Sequence, residues 1–179
     1  MSLIVPEKTP VVAIVSLSDT ITYFITMMSI LRANSIAFPI SPRNSAHAVA
    51  HLISKVGVTL ILTGHESSMQ DLVREALDIV AISSTLENIP QVSLEPLFED
   101  LFLHDPIDNA EDLPLQRQDP EEILMYIHSS GSTAYPKPIP WTNRRVSELS
   151  LIPSFGEQDL CDKILSLHVM PMYHGMGIL

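Results

Sequence analysis

The chain predicts an α/β fold: a doubly wound, mostly parallel sheet with flanking helices. Three observations lead there. Short, largely apolar runs rich in β-branched residues, Val11–Leu17, Val58–Leu62 and Ile123–Ile127, read as strands buried on both faces. Between them lie stretches whose apolar residues recur at helical spacing. The connections are short, and strand–helix alternation with short connections favours parallel strands joined by right-handed crossovers.

In order, Val11–Leu17 is the first strand, and Ser18 or Asp19 can cap a helix running to about Ala33. Phe38–Ser41 is a short second strand. Asn44 or Ser45 caps a helix carrying Ala46, Val49, Ala50, Ile53 and Val56 on one face, and Gly57 stops it. Val58–Leu62 is the third strand, Glu66–Leu77 a helix, and Ile79–Ile82 the expected fourth strand. Residues 85–122 then hold five prolines and eleven of the chain's 21 acidic residues against one base, Arg117. This reads as an acidic, proline-containing surface connection, with an acidic docking segment as the alternative. The sheet resumes at Ile123–Ile127. Asn143–Leu151 is expected to be a helix and Ile164–Val169 a further strand.

Composition bounds the function. Of 179 residues, 46% are hydrophobic and 17% charged, which suits one buried core rather than disorder. A net charge of −11 gives no electrostatic footprint for nucleic acid and little attraction to an anionic membrane surface. The most apolar helical stretch, Ile21–Leu31, is far short of the roughly 20 residues that span a bilayer. The N-terminus lacks the pattern of a secretory signal. Cys161 is the sole cysteine, which fits a reducing, cytoplasmic compartment.

The richest chemistry lies in His128–Pro138. Four small hydroxyl residues, Ser129, Ser130, Ser132 and Thr133, surround Gly131, and Lys137 follows. A tight turn exposes backbone N–H groups, hydroxyls donate, and lysine adds a point charge, so polyphosphate suits this turn; an ordinary loop is the plainer reading. It is not the Walker pattern, which brackets four residues between glycines and ends Lys-Ser/Thr. His47 and His51 share a helix face without a third metal ligand and read as surface or core histidines. Trp141 among its prolines reads as a rigid turn. Met27, Met28, Met170, Met172 and Met176 read as core filler.

Ser129-Ser130-Gly131-Ser132-Thr133-Ala134-Tyr135-Pro136-Lys137 resembles the signature loop of the adenylate-forming superfamily, and Pro138–Thr142 resembles its fungal reductase-type branch. Met170-Pro171-Met172-Tyr173-His174-Gly175-Met176-Gly177 is similar to the family's Pro-x-x-His-x-x-Gly element, and Ala37–Ser45 also resembles the family. One departure stands out: Ala134 occupies a position where the family usually has glycine.

The resemblance implies that residues 1–179 form the N-terminal portion of an adenylation large domain. It implies ATP-dependent activation of a carboxylic acid to an acyl-adenylate, then transfer to coenzyme A or to the phosphopantetheine of a carrier domain. Ser129, Ser130, Gly131, Ser132, Thr133 and Lys137 would bind the ATP phosphates, and His174 and Gly177 would line the acid and adenylate pocket. Mg2+ would take part through an acidic ligand that this segment lacks. No catalytic residue and no resident metal ligand is assigned within the chain. A truncated, inactive homologue or scaffold fragment remains the alternative, and an unrelated phosphate-binding α/β domain is a third.

Overall fold

The computed structural model describes residues 9–83, 88–103, 119–129, 135–151 and 170–178. Strands β1 (Val11–Val15), β2 (Ile36–Pro39), β3 (Leu60–Thr63), β4 (Gln91–Leu94), β5 (Ile123–His128) and β6 (Pro138–Thr142) form one sheet in the order β4-β3-β1-β2-β5-β6. The first five run parallel; β6 returns antiparallel to β5. The helices are α1 (Thr20–Arg32), α2 (Ala46–Val56), α3 (Ser67–Ser83), α4 (Phe98–Phe102), α5 (Asn143–Ser150) and the single turn α6 (Gly175–Ile178). The mixed α/β, mostly parallel sheet is the expected fold.

Helix boundaries follow from capping. Asp19 accepts from the N–H groups of Ile21 and Thr22 at 2.9 and 3.1 Å, satisfying donors that the first turn leaves open. Ser45 does the same for Ala48 at 3.3 Å. Gly57 ends α2 at φ 77°, ψ 50°, a left-handed geometry that glycine adopts without a Cβ clash.

The alternation of β1 sorts the core into two layers. Val11, Ala13 and Val15 join Phe38, Val49, Ile53 and Val73 on the face covered by α2 and α3. Val12 and Ile14 join Tyr23, Met27, Met125 and Trp141 on the face covered by α1. Phe38 and Ile14 are fully buried, and each such side chain contributes about 1.5–3 kcal/mol of transfer free energy.

Three expected elements differ. Ile79–Ile82 is not a strand but the last turn of α3, because Met69, Val73, Ala76 and Val80 continue one buried helical face. The fourth strand is Gln91–Leu94, within the segment expected to be a connection. Trp141 belongs to β6 rather than to a turn, with its indole 4% exposed. Lys137 faces β5, so Pro138 and Pro140 alternate away from it. Among the described residues β6 is an edge strand, where those positions need no donor, so proline is tolerated. Of the five methionines, Met27 and Met172 are buried, Met28 and Met170 are exposed, and the side chain of Met176 lies outside the described residues. The expected strand Ile164–Val169 also lies outside them.

The joint between β2 and β5 rests on an imidazole. Ile36 and Ile40 donate to Pro10 and Ile14 on the β1 side, so Ala37, Pro39 and Ser41 face β5. Pro39 has no N–H to give. The next donor, the Ser41 N–H, goes to Nε2 of His128 at 2.9 Å. Nδ1 of His128, 3.0 Å from the Ser129 carbonyl, must therefore carry the proton and donate. Burial foremost, and the nearby His174, lower the pKa of His128, against the opposing Ser129 contact.

Because that pKa is depressed, unfolded His128 binds a proton at higher pH than folded His128 does. Its stabilisation is complete above about pH 6.5 and is lost as pH falls from there through the folded value. Urea melts of the chain between pH 5.5 and 8 are expected to show this loss. His128→Gln, which keeps an acceptor, should reduce the slope. His128→Ala should cost about 1–3 kcal/mol at pH 7.5 by stranding the Ser41 N–H. Equal pH slopes in wild type and His128→Gln would refute the clamp.

The turn at 171–178 has its own constraint. The His174 N–H donates to the Pro171 carbonyl at 2.9 Å, and the Gly177 N–H to the His174 carbonyl at 2.8 Å. A Cβ on Gly177 would overlap the Pro171 carbonyl and lie 3.0 Å from the Met170 oxygen. Gly177→Ala should therefore cost about 1–3 kcal/mol and shift this turn. Trp141, the chain's sole tryptophan, packs beside Gly175 and reports the shift. A red-shifted emission is expected; an unchanged spectrum and melt would contradict the close approach.

Candidate functional site

Parallel strands deliver their following loops to one edge of the sheet, where open α/β sheets bind ligands. At that edge β5 ends in His128 and opens the hydroxyl-rich turn. The turn is the loop of an antiparallel hairpin, and its base is closed twice. The Ser129 N–H donates to the Lys137 carbonyl at 3.0 Å, and the Lys137 N–H donates to Ser129 Oγ at 2.9 Å. Ser129 Oγ is thus an acceptor that fixes the loop ends, while its hydroxyl hydrogen remains a donor. Ser130, Gly131, Ser132 and Thr133, together with Ala134, lie outside the described residues.

Lys137 is exposed, and no carboxylate pairs with it among the described residues. Its ammonium therefore presents its charge to solvent at the root of the loop. Pro136 beside it is buried, which anchors the chain between the exposed Tyr135 and Lys137. The far side of the loop is tied down by a contact the sequence did not announce. The Tyr135 ring stacks on His51 of α2, with centroids 5.2 Å apart and planes 19° apart. His51 is half-buried and His47 exposed. Their four-residue spacing put them on one face but carried no hint of an aromatic partner 84 residues away. Among the described residues no group of three His, Cys, Asp or Glu could hold a metal ion.

The second motif lies close by. A Cβ on Gly175 would sit 3.3 Å from Cδ1 of Ile127 and 3.6 Å from Cζ2 of Trp141, so the 170–178 segment packs directly on the β5–β6 hairpin. Met172 and Tyr173 are buried in the same core layer as Met125 and Trp141. His174 is half-buried, its ring 5.3 Å from that of Tyr173, and its charge bears on His128, the residue before the loop. The structure therefore sets the segment holding His174 and Gly177 against the hairpin whose ends carry Ser129 and Lys137. Gly177 meets a backbone demand there, since the Pro171 carbonyl fills the space a side chain would need. The role of His128 is one that sequence reasoning missed; the signal available was Pro39, a position in β2 without a donor.

The profile of the family described as AMP-binding enzyme matches residues 6–179. The chain is 41% identical over 179 residues to the adenylate-forming reductase Nps10 of Heterobasidion annosum, an alignment covering 98% of this chain and 16% of that protein. It is 31% identical to the adenylate-forming reductase Nps11 of Serpula lacrymans, covering 94% of this chain and 16% of that protein. The chain thus spans about one sixth of the length of these relatives. Two solved structures share the fold. One is ATP-bound MatB from Rhodopseudomonas palustris, with TM-score 0.69 and 15% identity over 96% of this chain and 32% of that one. The other is a luciferase-like enzyme from the mealworm Zophobas morio, with TM-score 0.65 and 20% identity over 95% of this chain and 38% of that one. With a profile that runs almost end to end and relatives that align along nearly the whole sequence, the chain belongs to the AMP-binding enzyme family.

Proposed function

We propose that the chain carries the phosphate-binding part of an adenylation site, where ATP and a carboxylic acid form an acyl-adenylate. One observation carries this reading: the reciprocal Ser129–Lys137 pair closes the base of the hydroxyl- and glycine-rich segment on the same hairpin against which the His174 turn packs. In the reaction a carboxylate oxygen attacks the α-phosphorus of ATP. The bond to the bridging oxygen breaks, and pyrophosphate leaves with the electron pair. Little covalent chemistry falls to the protein, so positioning and charge stabilisation dominate.

Ser130, Ser132, Thr133 and the backbone N–H groups around Gly131 would hold the β- and γ-phosphates, and Lys137 would offset the charge gathering on the departing pyrophosphate. Ser129 would hold the loop in shape. The His174 turn would border the acid, with Gly177 allowing the close backbone approach. The neutral His128 behind the loop adds no charge there. No cluster among the described residues fits a magnesium ion, so no step here runs through it. The acyl group would pass next to a thiol, that of coenzyme A or of a carrier-bound phosphopantetheine. The sole Cys161 supports a reducing, cytoplasmic setting.

The test needs a complete catalytic context. A chimera in which residues 6–179 replace the matching segment of the Heterobasidion annosum reductase supplies one. Acid-dependent ATP–pyrophosphate exchange by the chimera is expected. Thr133→Ala and Lys137→Ala should each lower kcat/KM by roughly 10- to 100-fold, as loss of one charge-assisted contact worth about 1.5–3 kcal/mol implies. Melting temperatures should stay within about 2 °C, since an exposed loop adds little to core stability. Ala134→Gly should leave activity equal or higher, because glycine relieves strain at any left-handed position. Undiminished exchange in both alanine variants would remove the phosphate role.

A further inference from the structure

The same sheet edge holds a cavity that the adenylation reading leaves unused. It lies at the ends of β1, β3 and β4, has a volume of about 270 Å³, and is lined by Asp19, Glu66, Glu95 and Glu99, with no lysine or arginine among the described residues. Glu95 decides its chemistry. The residue follows β4 directly, its N–H donates to the Thr63 carbonyl at 2.9 Å, and it is 2% exposed. Its Oε1 has no hydrogen-bond partner among the described residues. Ser18 Oγ, also lining the cavity, is buried and without a partner there too.

The neighbours of Glu95 do not neutralise it. The His65 ring nitrogen Nε2 lies 2.7 Å from the Glu95 carbonyl and donates to that oxygen, not to the carboxylate. The hydroxyl of Tyr23 makes no hydrogen bond among the described residues. Burial first, and then Glu95, raise its pKa well above the usual value, so it stays a neutral phenol. A buried carboxylate without a charge partner is costly, and one that stays ionised is paired with a cation or coordinates a metal. No group of three potential ligands suits a metal ion among the described residues. The floor is also kept clear: a Cβ on Gly64 would lie 2.5 Å from Glu66 Oε2 and 3.2 Å from Ser16 Oγ. The rim carries the exposed apolar side chains Leu97 and Phe98, which suit an alkyl arm and a cation over an aromatic face.

We propose that this cavity binds a compact organic cation, a primary ammonium on a short alkyl arm, with the Glu95 carboxylate as its charge partner. The chain's net charge of −11 raises the local concentration of such cations. A free amine and a protein lysine side chain share this chemistry. The site is independent of the phosphate loop, and its test does not pass through catalysis.

Calorimetry and thermal melts of the chain with propylammonium chloride test it, with tetramethylammonium and magnesium chlorides as controls at fixed ionic strength. Saturable binding of propylammonium with a rise in melting temperature is expected, and neither control should reproduce it. Glu95→Gln should weaken binding at least tenfold while its own melting temperature holds or rises. Gly64→Ala, which crowds the floor with Glu95 intact, should weaken binding as well. A short apolar peptide with one central lysine, compared with propylammonium, assigns the source: tighter binding of the peptide points to a protein side chain, equal or weaker binding to a free amine, and both support the site. Absence of saturable binding, equal binding by tetramethylammonium or magnesium, or unchanged binding by Glu95→Gln would overturn it.

Discussion

A hydrogen bond from the backbone of Ser41 to the ring of His128 extends the junction between two halves of this sheet. The half built from β1 to β4 and its three helices has ample packing of its own. The β5–β6 hairpin adjoins it through a β2–β5 ladder registered at one pair, Ala37 with Met125. Pro39 removes the donor that would have extended this ladder, and His128 supplies an acceptor to the next one. The same ring, through Nδ1, holds the Ser129 carbonyl, where the hydroxyl-rich loop begins. The loop's root is thus fixed to the sheet by a side chain that must stay neutral to do it. That requirement follows from geometry: an imidazolium has no lone pair to accept from Ser41.

Much of this was legible in the residues. The first three strands and their helices were readable because burial on both faces leaves consecutive apolar runs, and because Asp19, Ser45 and Gly57 punctuate the helices by known backbone chemistry. The failures have physical causes as well. Ile79–Ile82 looks like a strand by composition, yet Val80 falls on the helical row of Met69, Val73 and Ala76, and tertiary packing follows the row. The true β4 is an exposed edge, so no burial pattern marks it. β6 was hidden by Pro138 and Pro140, which only an edge strand tolerates, on the side that needs no donor. For the site, motif spacing brought Ser129, Lys137, His174 and Gly177 to attention. Contacts between segments far apart in sequence, such as Tyr135 on His51, leave no trace in a linear pattern.

For an acidic chain to bind polyphosphate as proposed, its charges must be kept apart. The structure offers a way to do so. Lys137 stands exposed at the root of the loop, and no carboxylate reaches it among the described residues. The carboxylates Asp19, Glu66, Glu95 and Glu99 gather instead at the ends of β1, β3 and β4. The two strands β2 and β5 carry the clamp between these regions. An anion site and a cation site can then share one edge of a sheet without neutralising each other.

The central claim is that the hairpin loop and the His174 turn act together on a nucleoside triphosphate. Titrating the isotopically labelled chain with ATP and following backbone amide resonances tests it directly. The account predicts saturable shifts concentrated in residues 129–137 and 171–178, with Ser41 responding through His128 and the amides around Glu95 unmoved. Shifts centred elsewhere on the sheet, or none at millimolar ATP, would contradict it.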